Sequence, residues 1–356
     1  MKSNPQPLWQ RIKGSPFFIK LLNWEYWPMW LTNIPVVLFW LYYAARARSL
    51  FFFSAVNPVI ETGGVFGESK INILRRIPQE LIPTTVFVPK GTSFATLVQN
   101  VEAAGLRYPL IAKPDVGERG LLVAKLRKES DLQAYFEQNK VAFLVQDFVD
   151  YPMEVSIMYY RMPEAERGTV SSVCVKEMLH VKGDGVSTLQ ELMRRKARAR
   201  LQLERLEAQM GAALQRVPAK GERVELEPIG NHCRGTMFLN GNAHIDEQLH
   251  RVFDGISQQM KDMYYGRFDM KIQSMEELKA GRNFAILEFN GIASEPAHIY
   301  DPSYPLRDKY KDIFRHWDAI YRISQQQKAR GVSSMSMKEA IDSLRAYFKY
   351  VKMIKA

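Results

Sequence analysis

The order of elements along the chain predicts an α+β protein rather than a doubly wound parallel sheet. Three observations support this. Short apolar strand patterns at residues 110–113, 121–125 and 142–148 surround a single helical stretch at 129–138. Residues 154–160 and 171–177 are close enough in sequence to pair as antiparallel neighbours. Two later runs, Gly266-Arg267-Phe268-Asp269 and Leu287-Glu288-Phe289-Asn290-Gly291, place polar groups two residues apart. On strands, Arg267 and Asp269 share one face, as do Glu288 and Asn290.

The elements follow in order from the N-terminus. Residues 26–45 carry no charge and include Trp27, Trp30, Phe39, Trp40, Tyr42 and Tyr43. The run is about long enough to span a bilayer. Thr32, Asn33 and Pro35 interrupt it, however, and both flanks are basic: Lys2, Arg11, Lys13 and Lys20 before it, Arg46 and Arg48 after it. That symmetry opposes a span and favours a monotopic or re-entrant element in one leaflet. A true span, or an apolar clamp packed on the protein or on a second subunit, are the alternatives. Residues 57–67, rich in Pro and Gly, read as a linker. Residues 82–88 read as a strand entered through Pro83, and 95–105 as a helix stopped by Gly105. Residues 188–214 read as one long charged helical stretch, a solvated helix first and a basic binding face second. Residues 337–354 have Ile341, Leu344, Phe348 and Val351 at helical spacing among basic residues. Core packing is the first reading there and membrane contact the second.

The chain has 356 residues, 46% of them hydrophobic, enough for two or three lobes. A formal charge of +11 favours anionic partners: nucleotide, nucleic acid or an anionic membrane face. No nucleic-acid motif is present, so nucleic acid is not expected. Cys174 and Cys233 make neither a disulfide framework nor a metal spacing, which points to a reducing cytoplasm.

Asp269, Glu288 and Asn290 form an oxygen-donor set of the kind Mg²⁺ takes, with room for water and phosphate oxygens. Lys113 sits in an apolar run before Pro114, where a cation is costly unless an anion meets it or the side chain snorkels from a strand edge. Gly117 and Gly120 permit close backbone approach to phosphate, although an ordinary hairpin would use the same residues. Arg267 offers a planar fork for a transferring phosphoryl group, or else a salt bridge to Asp269 or Glu288.

Over about residues 70–302, the pieces Tyr108-Pro109-Leu110-Ile111-Ala112-Lys113-Pro114, Gly117-Glu118-Arg119-Gly120, Leu144-Val145-Gln146-Asp147-Phe148-Val149 and the 181–189 segment resemble the ATP-grasp ligases. The resemblance is to the D-alanine–D-alanine ligase and cyanophycin-synthetase-like branch, and the two carboxylate strands complete it in family order. It implies two α+β lobes clasping ATP at residues 108–302. Before them come an apolar membrane-associating helical segment at 1–56 and a linker with a reduced region at 57–107. A C-terminal helical segment follows at 303–356. The implied nucleotide contacts are Lys70, Lys113, Gly117, Gly120, Gln146, Asp147, Val149, Glu154 and Lys176. Glu154 would accept the ribose hydroxyls, with an exposed strand-end glutamate as the alternative. Asp269, Glu288 and Asn290 would bind Mg²⁺ or Mn²⁺, and Arg267 would be catalytic. Arg234, Ser294 and Glu295 are weaker substrate candidates. His298 reads as structural before it reads as a base, and Cys233 as filler.

The resemblance implies an ATP-dependent carboxylate–amine ligase that works through an acyl-phosphate. Glu118 and Arg119 depart from the small-residue loops of such enzymes. The usual substrate-binding N-terminal lobe is replaced here by the aromatic segment. An amphiphilic or lipid substrate, a place on the cytoplasmic side of the membrane (peripheral or monotopic) and a homo-oligomer are further expectations. The competing reading is a non-catalytic ATP-binding or membrane scaffold protein that retains the fold.

Overall fold

The computed structural model describes residues 15–117, 120–227, 230 and 232–355. Lys2, Arg11, Lys13, Glu118, Arg119, Asn231 and the side chain of Cys233 lie outside the described residues.

The N-terminal apolar run is not one helix. It is divided among α1 (Pro16–Leu22), α2 (Met29–Thr32) and α3 (Ile34–Ala47). Pro28 and Pro35 each stand near a helix start, where the missing N–H costs least. No helix among the described residues is long and apolar enough to cross a membrane. The 14 residues of α3 reach about 21 Å, short of the roughly 30 Å hydrocarbon core. One side of α3 is a clamp on the protein itself: Tyr43, Ala44 and Ala47 pack with Phe52, Val56, Tyr265, Ile320 and Ile323.

Residues 57–67 are not a linker. Asn57 is fully buried; its amide donates to Gly63 O and Tyr265 O, and its oxygen accepts from the Tyr264 and Tyr265 N–H groups. Gly64 lies against Gly291 with φ +86, and a Cβ there would meet the Gly291 Cα at 2.6 Å. The helix α4 (Lys70–Leu74) then drops Ile71, Ile73 and Leu74 into the main core.

The small lobe begins earlier than residue 108. Its strands are β1 (Thr85–Val88), β2 (Leu110–Pro114), β3 (Ala124–Leu126) and β4 (Phe143–Asp147), in the order β1-β4-β2-β3. Helices α5 (Phe94–Ala103) and α6 (Glu129–Gln138) cover it through Leu97, Val101 and Leu132. The chain leaves β4 for β5 (Met153–Tyr160) and β6 (Thr169–Glu177) of the large sheet. An insertion follows, built from β7 (His180–Lys182), α7 (Leu189–Arg195), α8 (Ala197–Arg200), α9 (Leu203–Met210) and β8 (Arg223–Glu225). It has its own core of Leu179, Val181, Leu189, Met193, Leu206 and Leu214. The single charged helix expected at 188–214 is therefore three short ones, because its apolar positions serve a local core that a straight helix cannot reach.

The large sheet is completed by β9 (Met237–Asn240), β10 (Tyr265–Ile272) and β11 (Phe284–Asn290), in the order β11-β10-β5-β6-β9. Every pairing in both sheets is antiparallel, so the α+β expectation holds. Helices α10 (Glu247–Gln259) and α11 (Met275–Lys279) cover one face, with Leu249, Phe253 and Ile256 against Ile157, Phe268 and Ile286. Two helices end the chain, α12 (Leu306–Ala329) and α13 (Met337–Lys355). On α13 the expected core packing fails: Ile341, Leu344 and Phe348 are exposed, while Ala340 is buried, Tyr347 meets Phe66 and Tyr350 bonds Val116 O.

Candidate active site

Strand alternation sends Phe268, Met270 and Ile157 to the α10 face and polar residues to the other. On that second face the register aligns Cys174, Ser156, Asp269 and Glu288 across four strands. Arg267 pairs with Asn290 one step along. The ladder slips between Asp269 and Met270, whose partners are Glu288 and Ile286. Leu287 is thus the extra residue of a β-bulge, and its carbonyl is released from the ladder. Lys113 Nζ donates to it at 3.0 Å from the small lobe. This bond joins the two sheets at the site.

Asp269 is the centre of charge. It accepts from Ser156 Oγ, from Arg267 Nε and Nη2 at 3.2 Å each, and from Asn290 Nδ2 at 3.0 Å. Lys176 Nζ lies 3.5 Å away and 2.8 Å from Glu154. Burial would raise the Asp269 carboxyl, but Arg267 and Lys176 hold it well below the usual carboxylate range. Burial would lower Lys176, yet Asp269 and Glu154 keep it firmly charged. Lys113 has no such close anion. Burial pushes it down to about 8, with Glu288 opposing that from a distance. Lys70 Nζ sits 3.5 Å from Glu288 and donates to Gly117 O.

The structure therefore gathers Lys70, Lys113, Lys176, Arg267, Glu154, Asp269, Glu288, Asn290 and Gly117. Four cations face three carboxylates, leaving one positive charge for an anion to meet. Gly120 adopts φ +70, and its carbonyl accepts from Arg234 Nη2 at 3.1 Å. Arg234 also lies 3.5 Å from Glu227, so it ties Gly120 to that carboxylate. The Gln146 side chain is buried, and its amide donates to Thr85 Oγ1 at 2.9 Å. The Asp147 N–H donates to Thr84 O, and Val149 follows in the connection between β4 and β5. The Ser294 hydroxyl is engaged by the Asn290 and Gly291 carbonyls and so shapes the turn. Glu295 accepts from Tyr300 OH, and burial raises its carboxyl. His298 is held between Ser172 and Asp312, a structural histidine as expected.

The residues present fit a hard cation in part. Asn290 donates its Nδ2 to Asp269, which leaves its amide oxygen without a donor among the described residues. Glu288 is about one-third exposed and faces the cluster. The four hydrogen bonds to Asp269 occupy all its lone-pair positions in this conformation. Among the described residues no three His, Cys, Asp or Glu side chains converge as a metal site. A cation here would rest on Glu288 and Asn290, with Asp269 available once Arg267 turns to another anion.

Sequence reasoning missed a wall of the site. Glu25 accepts from Arg198 Nη2 and from His232 Nε2, each at 2.6 Å. Burial would raise its carboxyl, but His232 and Arg198 bring it below its ordinary value. Trp24 lies 5.5 Å from Tyr300, and His232 5.3 Å from both Tyr300 and Phe238. This aromatic wall meets the cluster through Lys176, 5.7 Å from the Phe238 ring, and through Glu295, whose carbonyl accepts from Arg267. The one signal in the sequence was Glu25 itself, an acid at the edge of an apolar run.

No protein-family model matches the chain, and no curated protein matches it. Solved structures similar to it include VanG D-Ala:D-Ser ligase from Enterococcus faecalis, at 13% identity and TM-score 0.43, covering 74% of this chain and 63% of that one. A bifunctional glutathione synthetase from Pasteurella multocida shows 16% identity and TM-score 0.38, covering 73% and 37%. D-alanine–D-alanine ligase from Bacillus anthracis shows 12% identity and TM-score 0.42, covering 76% and 71%. All three are ATP-grasp enzymes, the class that the motifs resemble. The match spans less than two thirds of the first two chains.

Proposed function

We propose that this protein is an ATP- and Mg²⁺-dependent carboxylate–amine ligase that works through an acyl-phosphate at a membrane surface. The observation that carries the reading is the cluster of Lys70, Lys113, Lys176 and Arg267 around Asp269, Glu288 and Asn290 between two antiparallel sheets. Lys113 and Lys70 would take the inner phosphates, together with the backbone of Gly117 and Gly120. The backbone of Gln146, Asp147 and Val149 would read the base edge, and Glu154, 2.8 Å from Lys176, would face the ribose.

When bound by Glu288, Asn290 and Asp269, a divalent cation would neutralise phosphate charge and so ease the approach of an anionic nucleophile. Arg267 would exchange Asp269 for the transferring phosphoryl group, which frees Asp269 as that happens. The substrate carboxylate oxygen forms the new bond to the γ-phosphorus, and ADP leaves with the electrons of the broken P–O bond. The amine then attacks the acyl carbon and phosphate departs. The wall of Trp24, Tyr300, Phe238 and His232 would exclude water from that mixed anhydride. It would also suit a substrate with an apolar part.

The membrane-surface element of the reading is supported by the side of α3 that faces away from the clamp. There Ile34, Val37, Leu38 and Leu41 recur at helical spacing and are exposed, with Trp30 exposed on α2. The test is ADP release against panels of acids and amines, with and without Mg²⁺. Glu288→Gln should abolish metal-dependent turnover while the thermal midpoint stays within a few degrees. Full turnover in Glu288→Gln would sink the site assignment.

A further inference from the structure

A groove of about 1030 Å³ lies apart from the cation cluster. It runs along α12, bounded by Phe39 of α3 and by Tyr160, Met162 and Thr169 where β5 turns into β6. Arg307, Lys311, Arg315 and Arg322 line it as one exposed stripe, while Ile313, His316, Ile320 and Ile323 on the opposite side of α12 are buried. Asp318 is the one carboxylate in the lining, so four cations against one acid leave a net charge of three. Asp318 already accepts from Tyr43 OH at 2.7 Å and lies 3.9 Å from Arg322. Arg315 has Asp312 at 3.1 Å. Arg307 and Lys311 have no carboxylate within 4.0 Å among the described residues.

The floor is apolar. Phe39 and Phe314 meet at 4.5 Å, and Tyr310 OH donates to Thr32 O at 3.0 Å. These contacts fix α2 and α3 beside the cationic stripe. The exposed row Ile34, Val37, Leu38 and Leu41 on α3 therefore runs next to the groove, with Trp30 70% exposed on α2. Arg46 and Arg48 add exposed cations at the far end of α3. A soluble anion would use the cations and leave the apolar row in water. A nucleic acid would do the same. An anionic amphiphile uses both, because its headgroup and its chains are presented side by side.

We propose that this groove seats the phosphate headgroup of an anionic phospholipid in the bilayer against which α2 and α3 rest. The phosphate lies between Arg307, Lys311 and Arg315, and the acyl region lies along Phe39 and Phe314. The inference rests on the membrane-surface element of the proposed function and orients it: α12 faces the headgroups and α3 the hydrocarbon edge.

The experiment is sedimentation of the full chain with vesicles of phosphatidylcholine alone and of phosphatidylcholine mixed with phosphatidylglycerol. Wild-type protein should bind both, and the mixed vesicles more tightly. Arg307→Ala with Lys311→Ala should lower affinity for the mixed vesicles about tenfold to thirtyfold and leave binding to phosphatidylcholine unchanged. Lys128→Ala with Lys140→Ala, an equal loss of charge on the small lobe, should have a far smaller effect. Val37→Asp with Leu38→Asp should abolish binding to both vesicles. Arg307→Lys with Arg315→Lys should bind like wild type. All these positions are exposed, and near-UV circular dichroism should be unchanged. An equal loss for the groove pair and the small-lobe pair would overturn the groove and leave membrane attachment standing. Wild-type protein that binds neither vesicle would overturn the membrane reading together with the inference. Calorimetric binding of glycerol 3-phosphate as tight as that of the mixed vesicles would make the groove a soluble-anion site and overturn the lipid.

Discussion

Lys113 is buried without a carboxylate within 4.0 Å among the described residues, and that would give the proposed ATP binding a proton signature. Burial lowers its ammonium from 10.5 to about 8. A phosphate beside it would restore the higher value. Nucleotide binding at pH 8 should therefore take up about half a proton, and at pH 7 about a tenth. The gap between 10.5 and about 8 corresponds to about 3.4 kcal/mol of coupling if the phosphate restores it fully. The sign follows from linkage. A folded-state value below the unfolded one means that the unfolded chain binds more protons between pH 8 and 10.5. The nucleotide-free protein should gain stability as pH rises through that window, while its affinity for ATP falls. The assay is calorimetry with a non-hydrolysable ATP analogue and Mg²⁺ at pH 8, in buffers of different ionisation enthalpy. The slope of observed heat against buffer enthalpy counts protons. Wild-type protein should give about half a proton more than Lys113→Met. Equal slopes in the two proteins would refute the placement of Lys113 against phosphate.

Arg267→Ala should reduce kcat by about a hundredfold or more while moving KM for ATP little, since its phosphoryl partner is charged mainly in the transition state; steady-state kinetics decide, and a change confined to KM would contradict the role. Glu25→Ala leaves Arg198 and His232 without their shared anion, so KM for the acyl or amine substrate should rise severalfold with nucleotide affinity unchanged, read by calorimetry beside the rate assay. Asn57→Ala strands the Tyr264 and Tyr265 N–H groups in a fully buried place. It should cost on the order of 3 kcal/mol in urea unfolding, and a loss below 1 kcal/mol would mean water replaces the amide.

The side-chain cluster was legible in the sequence where strand alternation does the sorting. Arg267 with Asp269, and Glu288 with Asn290, had to share a face once each run was a strand, and the observed register pairs them as two rungs. The α+β order followed from the same short alternating runs. What could not be read was long-range. Gly64 and Asn57 looked like linker residues because Gly and small amides signal turns, and only the approach of Gly291 and Tyr265 shows that Gly64 backs the turn after β11 and Asn57 holds the start of β10. The released Leu287 carbonyl depends on a slip in pairing that no local pattern encodes. Residues 188–214 have helix-forming composition throughout, yet their apolar positions answer to β7 and β8. Ser294 was read as a weak substrate contact, but its hydroxyl is engaged by the turn after β11.

The packing of Tyr43, Phe52 and Val56 against Tyr265 bears on how the protein can be handled. Tyr265 is two residues from Arg267, on the same strand. Cutting away the first fifty-odd positions would uncover the flank of that strand and remove Glu25 from beside the cation cluster. Under the proposed function, trimming would then damage the catalyst rather than yield a soluble core, and a lost activity would say nothing about lipids. Point charges on the outer side of α3 leave the inner side intact, so attachment can be varied without dismantling the chamber.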